Sequence, residues 1–260
     1  MVGEVAALPV SSRSLRSTRV ASMHLHRVHG LGVARALLRM GTDRFRFGAV
    51  PGLEFVKLLG TGSGETFGVR DADLHRWGMF CVWSSSDALA EFESSSPIAQ
   101  AWRNSANETW VAALRPLVVK GMWSGRELFE SPVRGSARAG ASAGAGVGET
   151  APGGRVAALT RARIKPAQWR AFWSSVPPVA LSLQSTPGLL ARVGIGEAPV
   201  GLQGTFSVWE SMGAIDTFAY KSEAHRQAIR QTHATGWYSE EMFGRFAIEW
   251  SSGTFDGRQL

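Results

Sequence analysis

The chain has 260 residues, 44% of them hydrophobic and 19% charged, enough apolar material for one large domain or two ordinary ones and too much for a disordered chain. Its formal charge of +7 is spread thinly, with no run of Lys and Arg and no zinc-finger or RNA-binding signature, which argues against a nucleic-acid partner. One cysteine, Cys81, excludes an intramolecular disulfide and a cysteine-rich metal site. No stretch approaches the ~20 apolar residues of a spanning helix, and the first twenty residues hold no continuous apolar run, so a soluble cytoplasmic protein is expected.

Residues 1–17 are polar and rich in Ser and Arg, and read as a loose N-terminus. VASMHLHRV, from Val20, alternates as a strand. LGVARALLRM follows as a helix, with Leu31, Ala34, Leu37 and Leu38 on its apolar side and Arg35 and Arg39 off it. LEFVKLLG is a second strand, GTGSGETFG a glycine-rich connection and RWGMFCVW a third strand, in which Cys81 reads as a small buried hydrophobe. A short helix spans Ser84 to Glu93, and Ser96-Pro97 opens another with an N-cap and a first-turn proline. LRPLVVKGMW, following Trp110, is a fourth strand. Residues 131–153 are Ala, Gly and Ser with almost nothing to bury, and read as a flexible linker.

After the linker the order returns. RVAALTRARI matches RVASMHLHRV, PGLLARVGIG matches PGLEFVKLLG, and TFSVWESMGAIDTF matches MFCVWSSSDALAEF. KPAQWRAFWSSV is an intervening helix, with Trp169, Phe172, Trp173 and Val176 at helical spacing. Trp209 follows Trp83 by 126 residues, Phe218 follows Phe92 by 126, and Trp237 and Trp250 follow Trp110 and Trp123 by 127. A tandem duplication is therefore expected, each copy reading β-α-β-β-α-β, the ferredoxin-like order. The copies would span residues 18–130 and 154–260. An α+β architecture follows: two four-stranded sheets packed face to face as an intrachain dimeric α/β barrel with room for a ligand between sheets and helices.

The stretch from Ser222 to Trp250 differs most from its counterpart. At an offset of 127, His225 falls on Ile98, on a helical face that is apolar in the first copy, while His233 falls at that face's margin. An inward imidazole is either satisfied by a neighbour or bound to something. His24 and His26 share one face of the first strand, but a metal there would need a third ligand from elsewhere. The loop from Gly60 through Gly62 and Gly64 to Glu65 has Glu65 where a dinucleotide-binding loop would have its third glycine, so it is either a hairpin connection or a cover over a substrate pocket.

PGLEFVKLLGTGSGETFG, MFCVW and AIRQTHATGWYSEEMFGRF resemble the spheroidene monooxygenase family, and the resemblance runs from about Val20 to Gly253 outside the linker. The basic N-terminus and the Ala/Gly linker depart from that family's compact pattern. The resemblance implies a dimeric α/β barrel and a haem-dependent monooxygenase acting on an acyclic carotenoid, with haem b iron as cofactor and O2 as co-substrate. It implies His225 as the axial iron ligand, with His233 in reserve. Two propionates would want cations, for which Lys57 and Arg245 are candidates; the plainer readings are an exposed strand lysine and an ion pair of Arg245 with Glu240 or Glu241. The chain has no flavin or nicotinamide site, so electrons would come from an external ferredoxin or reductase. A lipid-dissolved substrate would bring transient membrane contact through the first helix, and oligomerisation stays open. Alternatives are a haem-barrel dehydratase of the aldoxime dehydratase type, a cofactor-free α/β-barrel monooxygenase and a non-catalytic ligand carrier.

Overall fold

A computed structural model describes residues 19–62, 71–130, 154–168, 186–197, 202–221 and 238–260. Before residue 131 the elements are β1 (Val20–Arg27), α1 (Leu31–Arg46), β2 (Leu53–Gly62), β3 (Ala72–Trp83), α2 (Ser86–Ser95), α3 (Pro97–Ser105) and β4 (Glu108–Gly121). After it come β5 (Val156–Ile164), β6 (Leu189–Glu197), β7 (Leu202–Trp209), α4 (Met212–Lys221) and β8 (Tyr238–Gly253). The expected linker, and most of the helix expected over 165–176, lie outside the described residues.

The eight strands close into one antiparallel barrel in the order β1-β3-β2-β6-β7-β5-β8-β4. Four-strand groups β4-β1-β3-β2 and β8-β5-β7-β6 have the same internal order. They are not two separate sheets facing each other: β4 and β8 pair over most of their length, and β2 meets β6 at a short seam. That seam places Gly60 opposite Gly196 and Gly62 opposite Gly194. Gly60 and Gly62 are thus strand residues rather than loop residues; Gly64 and Glu65 lie outside the described residues.

Alternation along each strand sorts side chains into the barrel or onto its outer face. Ala21, Met23 and Leu25 of β1, Phe80 and Val82 of β3, Trp110 of β4, Phe206 of β7 and Phe246 of β8 fill the interior. Among the described residues this packing leaves two small recesses at the interior's edge, and the roomier of them, about 10 Å³, is no larger than one water needs. At one end a charged cluster closes the barrel. Arg161, buried on β5, bonds Glu240 and Glu197, and Glu197 also accepts from Lys57 Nζ (2.8 Å) and Trp123 Nε1 (2.6 Å).

On the outer face, α1–α3 cover the first group. Ser85 and Ser96 cap α2 and α3, accepting from Ala88 N and Ile98 N at 3.2 Å; the cap at Ser96 is the one that the Ser-Pro signal predicts. Cys81 is fully buried there, and burial pushes its thiol far up, so it behaves as a small hydrophobe. Helix α1 departs from expectation. Its core-facing residues are Gly32, Ala36 and Asp43, whereas Leu31, Ala34, Leu37 and Leu38 are exposed. The reason is close approach to α3: a Cβ on Gly32 would stand 2.9 Å from Ser105 O, and Trp102 Nε1 donates to Asp43 Oδ2 at 3.1 Å. Bulky residues do not fit that contact.

A matching hairpin ends each group. Trp123-Ser124-Gly125-Arg126 and Phe255-Asp256-Gly257-Arg258 close through paired backbone bonds, with positive φ at both central residues, the geometry of a two-residue hairpin turn. Glu240 accepts from the N–H groups of Ser124 and Gly125, and Glu108 from Gly257 N and Thr254 Oγ1. Partial burial opposes ionisation of Glu240, yet the bonds from Gly125, Ser124 and Arg161 outweigh it and hold its carboxyl below the usual range. These equivalences fix the offset between β4 and β8 at 132 residues rather than 127. Trp123 corresponds to Phe255, both buried, and not to Trp250, which is 40% exposed.

Candidate functional site

The two groups differ on their outer faces. Across the first, one cross-strand row reads Leu58, Met79, His24, Val111. Across the second, the corresponding row reads Gly194, Thr205, Thr160, Phe243. The next row reads Val56, Cys81, Ser22, Ala113 in the first group and Arg192, Ser207, Ala158, Arg245 in the second. His26 is replaced by Ala162. The first face is thus filled by its own large side chains, and the second is cut back to Gly, Ala, Ser and Thr between two arginines. His24 is 2% exposed, but Thr160, at the same place in the second group, is exposed, as is neighbouring Phe243. A small-residue strip on the outer face of a sheet leaves room for a flat ligand to lie against it.

One wall of the second layer is α4, whose Ile215 and Phe218 pack with Trp209 and Val156. Arg245 Nη1 donates to Asp216 Oδ1 of α4 at 2.7 Å. Its ion-pair partner is therefore Asp216, and the alternative pairing with Glu240 or Glu241 does not form: Glu240 is held by Arg161 and the hairpin. Lys57 is not an unpaired exposed residue. It lies on the barrel side of β2 in its ion pair with Glu197, apart from Arg245. His225 and His233 lie outside the described residues. Of the sequence candidates, only Arg245 is placed in this layer. Thr160, Thr205 and Gly194, with Arg192 beside them, escaped sequence reading because such residues carry no signal singly; laying the outward positions of the two strand groups side by side brings them out.

His24 and His26 occupy the filled counterpart. His24 Nε2 lies 2.8 Å from Ser22 Oγ, which also accepts from Trp83 Nε1 at 2.8 Å, and His24 Nδ1 faces Glu93 Oε1 at 3.4 Å. His26 stacks on Trp102 at 5.3 Å, with Nδ1 3.3 Å from Thr109 Oγ1. Burial, then the charge of Arg103, pushes His26 down to about 3; burial, His26 and Arg103 push His24 well below its ordinary value. Both imidazoles are neutral and packed. Among the described residues, no group of three or more His, Cys, Asp and Glu could hold a metal ion.

No family model matches the chain. It is 32% identical over 240 residues to spheroidene monooxygenase from Rhodobacter capsulatus, covering 92% of this chain and 94% of that protein. It is 36% identical to spheroidene monooxygenase from Rubrivivax gelatinosus, covering 88% and 84%. Among solved structures, an aldoxime dehydratase in complex with butyraldoxime superposes with a TM-score of 0.61 at 12% identity, over 89% of this chain and 80% of that one. A second aldoxime dehydratase structure gives 0.56 at 11% identity, over 88% and 81%. These two likenesses concern the fold alone. The sequence likeness reaches further, across nearly the full length of both partners: the chain belongs to the spheroidene monooxygenase family and is an oxidoreductase of the monooxygenase class.

Proposed function

We propose that the chain is a haem-dependent monooxygenase that inserts oxygen into a carotenoid or similar polyene, with haem b lying on the cut-back outer face of the second strand group. The observation that carries this is the row Gly194, Thr205, Thr160, Phe243, where the first group has Leu58, Met79, His24 and Val111. The residues present fit such a group: small side chains leave room against the sheet, Phe243 offers an aromatic edge, and Arg192 and Arg245 supply cations for two carboxylates. His225 would be the residue that holds the iron, with His233 in reserve. Lys57, committed to Glu197 on the barrel side, is not part of this reading.

Bound haem would supply the activation of O2, using electrons from an external ferredoxin or reductase. The chain's own residues bind, orient and exclude water. Packing inside the barrel keeps substrate out of it and on the helix side. Asp216 fixes the guanidinium of Arg245 at the rim, so an anionic edge of the cofactor would meet an oriented cation. Ala158 and Ala162 present methyl groups that neither donate nor accept protons toward a polyene.

We also infer that the two strand groups derive from one duplicated ferredoxin-like unit. Their equal strand order, their paired hairpins and the mutual capping by Glu108 and Glu240 support this.

Titration of the purified protein with haemin tests the cofactor reading. A Soret band should develop with saturable stoichiometry and be lost in His225→Ala; an unchanged band in that variant would refute the ligand assignment. Incubation of the reconstituted protein with an acyclic carotenoid, a ferredoxin and its reductase should give oxygenated product only in air. Product formed equally without O2 would favour dehydration chemistry.

A further inference from the structure

Helix α1 turns its bulkiest apolar residues to solvent. Leu31 is 77% exposed, Leu38 66% and Phe45 74%. They recur every seven residues, with Ala34 and Gly41 between them at the complementary spacing, so they form one stripe along the helix. Leu37, 50% exposed, widens it. Single exposed leucines mean nothing, but a continuous stripe on an otherwise well-packed domain marks a contact surface.

Charge decides what covers it. The helix carries Arg35, Arg39, Arg44 and Arg46, and its one acid, Asp43, is buried against α3. Arg39 and Arg46 point back toward Asp43, at 3.8 and 3.1 Å. Arg35 makes no ion pair among the described residues, and Arg44 lies over the Phe45 ring at 4.5 Å. The stripe is therefore flanked by cations with no exposed acid on the helix. A second copy docked along it would set arginine against arginine. An anionic lipid surface complements both features: apolar side chains enter the acyl boundary while guanidinium groups stay level with the headgroups. No helix among the described residues is long and apolar enough to cross a membrane, which fits a helix that lies on one.

We propose that α1 is a membrane-surface docking helix, seating the protein on anionic bilayers through Leu31, Leu38 and Phe45 with Arg35 and Arg44 as the electrostatic contacts. This stands on α1 alone and survives or fails independently of the haem and carotenoid readings.

Co-sedimentation of the full chain with vesicles tests it. Vesicles of phosphatidylcholine mixed with phosphatidylglycerol should bring the protein down at low salt, and vesicles of phosphatidylcholine alone should do so far less. The triple variant Leu31→Ser, Leu38→Ser, Phe45→Ser should partition at least tenfold less, with an unchanged melting temperature because all three side chains are exposed. Arg35→Ser with Arg44→Ser should reduce binding to anionic vesicles toward the neutral-vesicle level. Absence of wild-type binding, or a triple variant that binds equally, overturns the proposal. So does a wild-type dimer that becomes monomeric in the triple variant without any vesicle binding, which would assign the stripe to a second copy.

Discussion

At the scale of single residues, the most informative contrast is between two positions that occupy the same place in the two strand groups. His24 is packed among Ser22, Phe92 and Glu93; Thr160 is open. The buried imidazoles have a consequence for stability. His24 and His26 stay neutral in the folded chain and take up protons near 6.5 only once unfolded, so acid favours the unfolded state. Their stabilising contribution is complete above about pH 6.5 and is lost as pH falls toward 3, amounting for His26 alone to roughly 2 kcal/mol between pH 6.5 and 5. The groups facing them are Ser22, Thr109, Glu93 and Arg103. Burial, against the pull of Arg103, raises Glu93, which titrates in the opposite sense and moderates the loss. Urea unfolding at pH 7 and pH 5 should therefore show a marked acid destabilisation that shrinks in His26→Phe. Equal pH dependence in that variant would remove His26 as the cause.

At the scale of elements, the hairpins show how glycine is used for two different reasons. Gly125 has φ +70 and open space around a would-be Cβ, so Gly125→Ala costs only the left-handed conformation, about 1 kcal/mol. Gly121 has φ +89, and a Cβ there would collide with Glu241 O of the neighbouring strand. Gly121→Ala must also displace β4 from β8, and its denaturation midpoint should fall well below that of Gly125→Ala. Similar midpoints would mean that the β4·β8 pairing yields easily. Alternation located β1 and β3, and the Ser96-Pro97 signal located the start of α3, because period and cap chemistry are local. Sequence reasoning misread α1, because which side of a helix is buried depends on the neighbour: a large Trp102 and a close α3 backbone select the small side. It also misaligned β4 with β8 by matching tryptophans, whereas the WSGR and FDGR turns carry the equivalence.

At the scale of the whole molecule, the like strand order of the two groups was legible from the matched segments, but closure was not. The β2·β6 seam is held by glycines whose spacing reads like a loop, and the charged closure by Lys57, Arg161, Glu197 and Glu240 joins residues far apart in the chain. With the interior packed, the outer side of the second group is where we propose the chemistry takes place. The family could be recognised from motifs. The small residues of the proposed site could not, because their meaning lies in what stands opposite them in the other half. The most direct measurement is haemin binding, read by visible absorption, in Thr160→Trp beside the wild type. Because Thr160 is exposed, the indole should leave the fold and melting temperature unchanged while covering the small-residue strip. A Soret band is expected in the wild type, and in Thr160→Trp it should be abolished or its affinity weakened at least tenfold. A wild type that takes up no haemin, or a Thr160→Trp variant that binds it as tightly, would contradict the proposed site.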